Sequence, residues 1–347
     1  MTQIQRRQAI TRLQELRNSR VITYLTSTRA NMEASMAMDV IRLVYDHLRR
    51  VGATDRIDLF IHSHGGDPTV PWRLVSLIRE YCDNFAVIVP HRAFSAATMA
   101  ALGADEIVMH PLAMLGPIDP TTTNPFNPRD PTNPQQPLPI SVEDVAAYVA
   151  LVKEDVGIGH EDELIQAFNV LAGQVHPLAL GNVKRTTQQG RMLAKKLLAL
   201  HMDRALDDHK MEQIVEALSS RLYYHGHPIN RKEAKDDLGL KIVEPDQETE
   251  AIIWNLYELY ESDMNLSEPF VPYQEFLGGG PDLSQIGVLQ TVGPISTILA
   301  FVESDGLCHR NVIEYEITGA RLPDLSVSSN VLMRHQGWEI EPEEGTP

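Results

Sequence analysis

The chain has 347 residues, with 30 Lys and Arg against 47 Asp and Glu, giving a formal charge of −17. That length suits two domains, or one large domain with an extension, and a 43% hydrophobic fraction excludes a wholly disordered chain. The acidic balance argues against a nucleic-acid partner, which needs basic surface, and against docking on anionic membranes.

Only Cys82 and Cys308 are present, far apart and without a CxxC. Neither a disulfide scaffold nor a cysteine zinc site is indicated. The N-terminus MTQIQRRQAITRLQELRNSR lacks the apolar core of a secretory signal. The longest uncharged run, 283–302, is broken throughout by Ser, Gln, Thr, Gly and Pro, which fits strands and turns rather than a membrane span. A soluble, cytoplasmic protein is expected.

In chain order, VITYLT (21–26) reads as a first strand and 36–50 as an amphipathic helix. IDLFI (57–61) is a near-continuous apolar run of the kind buried on both faces of a sheet. HSHGGD and a helix over 70–81 follow. FAVIVP (85–90) is the next buried strand, 95–102 an alanine-rich helix, and DEIVMH (105–110) another strand. Strands and helices alternating at this pace form βαβ units with a mainly parallel sheet.

Nine of the 22 prolines then fall within 111–139. Proline removes donors and fixes φ, so a long loop without regular structure is expected. Helices return over 141–155, 160–172, 182–202 and 208–220. Asn230 stands three residues before Glu233, a capping-box spacing, and LKIV (240–243) makes a short strand. From about 263 the chain alternates Gly/Pro punctuation with short apolar runs. It divides into residues 1–262 and a β-rich extension, 263–347, with a mobile acidic tail.

Two signals carry chemistry. His62-Ser63-His64-Gly65-Gly66-Asp67 follows a buried strand, where open α/β sheets bind ligands. Adjacent glycines can turn backbone N–H groups toward a developing oxyanion, and they equally suit a plain strand–helix turn. Ser95 opens a helix after the next strand, near the positive end of its dipole, with the Ala96 N–H a free first-turn donor. A serine there is more often only a cap. The two signals lie at the same ends of neighbouring strands, which joins a nucleophile to two backbone donors, the arrangement acyl transfer requires.

IDLFIHSHGGD, VIVPHRAFSAATMAALGADEIVMHPLAMLGPIDP and HPINRKEAKDDLGLKIVEP resemble the serine dehydrogenase proteinase family. That family belongs to the ClpP/crotonase superfamily and is related to signal peptide peptidase A. The resemblance covers about residues 17–260. It implies an α/β fold, a ClpP/crotonase-like ββα spiral with helical additions, and assembly into homo-oligomers. It implies a serine-type endopeptidase acting on peptide or protein substrates, with Ser95 as nucleophile and an oxyanion hole from Gly65 or Gly66 with Ala96.

The base is less clear. The histidine that ClpP-type proteases carry after the nucleophile helix has no counterpart in MLGPID (114–119), and His110 falls too early. Relatives of signal peptide peptidase A use a lysine from a later helix, and Lys184 is the first candidate, with Lys153 behind it. A buried lysine loses its proton and can then activate serine. His225 and His227 in YYHGHPI stay open as alternatives, and Asp119 either orients a base or bonds its own turn. The histidine pairs His62/His64 and His225/His227 have no HExxH or carboxylate support, so no metal and no cofactor are expected. Two other functions compete. One is a crotonase-like acyl-thioester enzyme that does not need Ser95. The other is a catalytically silent scaffold that binds a regulatory partner through 263–347.

Overall fold

A computed structural model describes residues 2–342 apart from 119, 120, 123, 131, 134, 139 and 222–226. Helix α1 (Thr2–Arg17) precedes strand β1 (Arg20–Thr26), helix α2 (Val40–Val51), β2 (Thr54–His62), α3 (Val70–Ile78) and β3 (Cys82–Val89). Then come β4 (Arg92–Ala93), α4 (Ala96–Leu102), β5 (Glu106–Met109), β6 (Met114–Leu115), β7 (Thr121–Thr122) and β8 (Ile140–Ser141). Helix α5 (Val142–Ala150) runs into a wider π turn (Leu151–Asp155), followed by α6 (Glu161–Gln174), α7 (Pro177–Leu198) and α8 (Asp208–Glu216). The chain finishes with β9 (Ile229–Asn230), α9 (Arg231–Asp236), β10 (Ile242–Val243), α10 (Gln247–Met264), α11 (Pro272–Gly278), β11 (Gln290–Ser304), β12 (Leu307–Arg321) and β13 (Val327–Ile340).

The main sheet has eight strands in the order β10-β5-β3-β2-β1-β11-β12-β13. From β10 to β1 every pairing is parallel, and β11 joins β1 antiparallel. The apolar runs of β1, β2 and β3 are buried on both faces because helices cover both. One face packs α2, α3, α4, α7 and α8 into the larger core. The other packs α1 and α10 around Phe60, Tyr257, Tyr260 and Phe301. The fold is therefore mixed α/β with a β-rich C-terminal part, as expected.

The three-stranded sheet β4-β6-β9 is the part that sequence periodicity did not show. Its middle strand, β6, lies inside the proline-rich segment expected to lack regular structure. Two residues suffice there, because β4 and β9 supply the pairing on either side. Helices α1 and α10 were also not foreseen. The charged and apolar residues of α10 are interleaved, and its buried set (Ile253, Leu256, Tyr257, Tyr260, Met264) emerges only at the 3.6-residue spacing. Of the acidic tail expected to be mobile, 339–347, Glu339 and Ile340 end β13 and Glu341 pairs with Arg6, while 343–347 lie outside the described residues. Among the described residues no helix is long and apolar enough to cross a membrane.

The C-terminal strands meet the rest through two buried polar clusters. On one face Arg6 of α1, wholly buried, pairs with Glu303 at 2.7 Å and with Asp263 and Glu341, and lies over the Phe301 ring. Its guanidinium fills the space between Glu303, Cys308 and Glu341, the three groups here close enough together to hold a metal ion. On the other face His47 Nδ1 is 2.7 Å from Ser304 Oγ, and its Nε2 is 3.0 Å from His309 Nδ1. Burial, with His309 beside it, pushes His47 down to about 3; Asp46 opposes and Arg50 adds to the shift. His309 is lowered too, again by burial.

A histidine whose folded value lies below its unfolded value of about 6.5 stabilises the fold above pH 6.5, and that stability drains away as pH falls toward 3. Between pH 7.5 and pH 5 the His47 contribution amounts to about 2 kcal/mol. Urea midpoints across this range should fall less steeply in a His47→Asn protein than in the wild type. Parallel slopes would remove the histidine pair as the cause.

Candidate active site

β2 and β3 are neighbours in parallel register, so the turns after them leave the sheet side by side. A parallel bridge between Ser63 and Ala93 ties them together: Ser63 N–H donates to Arg92 O and Phe94 N–H to Ser63 O, both at 3.0 Å. The glycine turn is pinned on its far side by Met36, whose N–H donates to Gly65 O (2.7 Å) and whose carbonyl accepts the Asp67 N–H (2.9 Å). The Gly65 N–H donates to Ser63 Oγ at 3.0 Å, and Ser63 Oγ also accepts the Thr26 hydroxyl. The Gly66 N–H has no hydrogen-bond partner among the described residues. Backbone groups alternate in direction along an extended segment, so it points away from Met36.

Both glycines are required by close approach. At Gly65 (φ +98°) a Cβ would lie 2.7 Å from Phe94 O, 2.8 Å from Ser95 Cβ and 2.9 Å from Ala96 N. At Gly66 it would lie 2.3 Å from Met36 O. The Gly65 Cα is thus seated against the serine turn. Ser95, half-buried, has φ 51° and ψ −112°, a strained conformation for a residue with a side chain. Its hydroxyl makes no capping bond and has no hydrogen-bond partner among the described residues. All seven residues of α4 are buried, the alanines allowing α3 and α7 close on either side. The Thr98 hydroxyl locks this helix to the small sheet, donating to Ala93 O (2.7 Å) and accepting the Gly116 N–H (3.1 Å).

The structure therefore brings Ser95, Ala96, Gly65 and Gly66 together, and it separates the base candidates. Lys184, on α7, is exposed and without an ion pair or hydrogen bond among the described residues, and Lys153 on the π turn is the same. His225 and Asp119 lie outside the described residues. His227 is held by Glu233 Oε1 at 2.8 Å from its Nε2. Asn230 does cap α9, accepting from Lys232 and Glu233 N–H, but the Glu233 carboxylate goes to His227 rather than closing the capping box. His227 precedes β9, which pairs with β6, which pairs with β4, the strand leading into Ser95. The registers end at Ala93 and Ile229, two residues short of Ser95 and of His227, and β4 and β9 lie about two strand spacings, ~10 Å, apart across β6.

The other histidines have different work. His62 is fully buried, accepting the Arg92 N–H on Nδ1 and meeting the Thr28 hydroxyl through Nε2 at 3.1 Å. Burial holds it well below its ordinary range. His64 stacks on Phe94 (5.8 Å) with the Arg92 guanidinium 3.4 Å from Nε2. The pair does not converge on a common point. His110 stacks on Trp254 of α10, on the opposite face of the sheet from α4. Ser63, Thr98 and Met36, which set the geometry of the two turns, were not singled out from sequence; isolated Ser, Thr and Met carry no pattern.

Residues 1–129 match the family model of the ClpP-like SDH-type serine proteinases. The resemblance drawn from the motifs holds over that stretch. An uncharacterized protein of Methanocaldococcus jannaschii is 26% identical over 281 residues, covering 78% of this chain and 84% of its own. A second uncharacterized protein of that organism is 41% identical over 64 residues, covering 18% and 22%. Among solved structures, ClpP1 from Listeria monocytogenes is 15% identical with a TM-score of 0.35, covering 68% of this chain and 98% of its own. A serine-to-alanine variant of the membrane-bound stomatin-specific protease 1510-N is 13% identical with a TM-score of 0.38, covering 73% and 92%.

The strain at Ser95 and the crowding at Gly65 predict opposite effects. Ser95→Gly should raise stability by about 1 kcal/mol, whereas Gly65→Ala should lower it by more than about 2 kcal/mol. Gly52→Ala, at φ +73° with nothing within 4 Å of the new Cβ, should cost only about 1 kcal/mol. Thermal unfolding of the three variants checks the order. Equal losses at positions 52 and 65 would mean that the two turns are not in contact.

Proposed function

We propose that the protein is a serine endopeptidase in which Ser95 is the nucleophile and the Gly66 and Ala96 N–H groups form the oxyanion hole. The observation that carries this reading is the seating of the Gly65–Gly66 turn against Ser95 and Ala96. It leaves a strained hydroxyl beside two backbone donors, all three without a hydrogen-bond partner among the described residues. The family match over residues 1–129 supports the same chemistry.

The base in this reading is His227, with Glu233 as its orienting acid. A lysine serves as base where burial strips its proton, and Lys184 is exposed. With Nε2 engaged by Glu233, Nδ1 is the nitrogen without a partner among the described residues, and it acts as the base. Ser95 Oγ attacks the peptide carbonyl carbon as its proton passes to Nδ1. The carbonyl oxygen takes up negative charge facing the Gly66 and Ala96 N–H groups. The proton then moves to the leaving nitrogen, the C–N bond breaks, and water releases the acyl group by the same route. Substrates bind extended beside the turns. The resemblance adds assembly from several copies, and the low cysteine content fits a cytoplasmic location.

Labelling with a fluorophosphonate probe tests the assignment. Ser95→Ala should abolish it. His227→Ala should slow it by about 10²–10⁴-fold, while Lys184→Ala stays within about twofold of wild type. The reverse order would return the base to Lys184. A folded wild type that never labels would favour the catalytically silent scaffold.

A further inference from the structure

We propose that β13 is a self-association edge, pairing antiparallel with β13 of a second copy of this chain. The main sheet ends on one side in β10, two residues long, and on the other in β13, fourteen residues long. Natural edge strands are usually blunted by proline, lysine, shortness or cover. β13 contains neither proline nor lysine. Its one irregularity is a register shift that leaves Arg334 between His335, opposite Glu314, and Met333, opposite Tyr315. Before that bulge, residues 327–333 (VSSNVLM) carry no charge at all.

One face of this segment is occupied: Val327 and Val331 pack with Tyr315, Ile317 and Phe276. The backbone edge has no partner among the described residues. Beside it stand Leu332 at 41%, Met333 at 57% and Leu325 at 58% exposure.

A second copy fits this edge on charge and symmetry. Two chains of −17 each repel over most of their surface, and an uncharged strand is where they can approach. A two-fold axis through Asn330 sets Ser329 opposite Val331, Ser328 opposite Leu332 and Val327 opposite Met333. No like charges then face one another. The same seven residues satisfy both partners at once, the condition for a closed, isologous contact. The proposal is independent of the chemistry at Ser95.

Because Asn330 would face itself, it offers a clean test. Asn330 is exposed, so a charge there leaves the monomer intact, which the circular dichroism spectrum and melting temperature verify. Sedimentation of the full chain across a concentration series should show wild-type association. Asn330→Lys and Asn330→Asp should each displace it to concentrations about tenfold higher or more, since like charges then meet at the axis. An equal mixture of the two variants should restore it. A wild type that stays monomeric, variants that associate like wild type, or a mixture that stays dissociated would each overturn the proposal.

Discussion

At Gly65 the backbone of one turn lies against the backbone of another with no room for a methyl group between them. The rest of the site is arranged around that contact. Parallel pairing of β2 with β3 brings the turns alongside, the Ser63–Ala93 bridge sets their relative height, and Met36 holds the glycine turn from behind. Each of these uses up backbone donors. The Gly66 and Ala96 N–H groups, next to the serine, have no partner among the described residues.

The same sheet is secured on both faces where its C-terminal strands begin. Glu303 and Ser304 are consecutive on β11 and point to opposite faces, one to Arg6 and the other to His47. Both contacts are buried, so neither is screened by solvent as a surface pair is. The first is ionic and the second is neutral, and they respond differently to acid. Glu303 is pushed up by burial and drawn back by Arg6, whereas the histidine pair holds only while it is uncharged. β11 also hydrogen-bonds directly to β1, so the C-terminal strands continue the sheet that carries the site.

Much of this was legible in the sequence. The buried strands announced themselves as apolar runs, and the paired glycines and Ser95 fell at matching strand ends. What the sequence hid was local pairing of very short strands. Met114–Leu115 has no periodicity to detect, yet it is the strand that joins β4, which leads into Ser95, to β9, which follows His227. Glu233 shows the limit of a motif: its spacing from Asn230 is that of a capping box, and half of the box forms, but its carboxylate is taken by a histidine. Lys184 illustrates a different gap. Spacing along a helix says which residues share a face, and only packing decides which face is covered.

The pairing of β1 with β11 also bears on how the chain is made. β1 is complete by residue 26, but its second neighbour in the sheet begins at residue 290. Arg6 must likewise wait for partners at 303 and 341. On the ribosome, the early strands therefore emerge with one side of β1 and the α1 docking surface incomplete until residues 290–341 have been made. Contacts of such sequence separation form slowly, and exposed strand edges invite mispairing meanwhile. The main sheet therefore closes only once β11 has been made, so it is this late segment, rather than the early strands, that commits the protein to its native sheet.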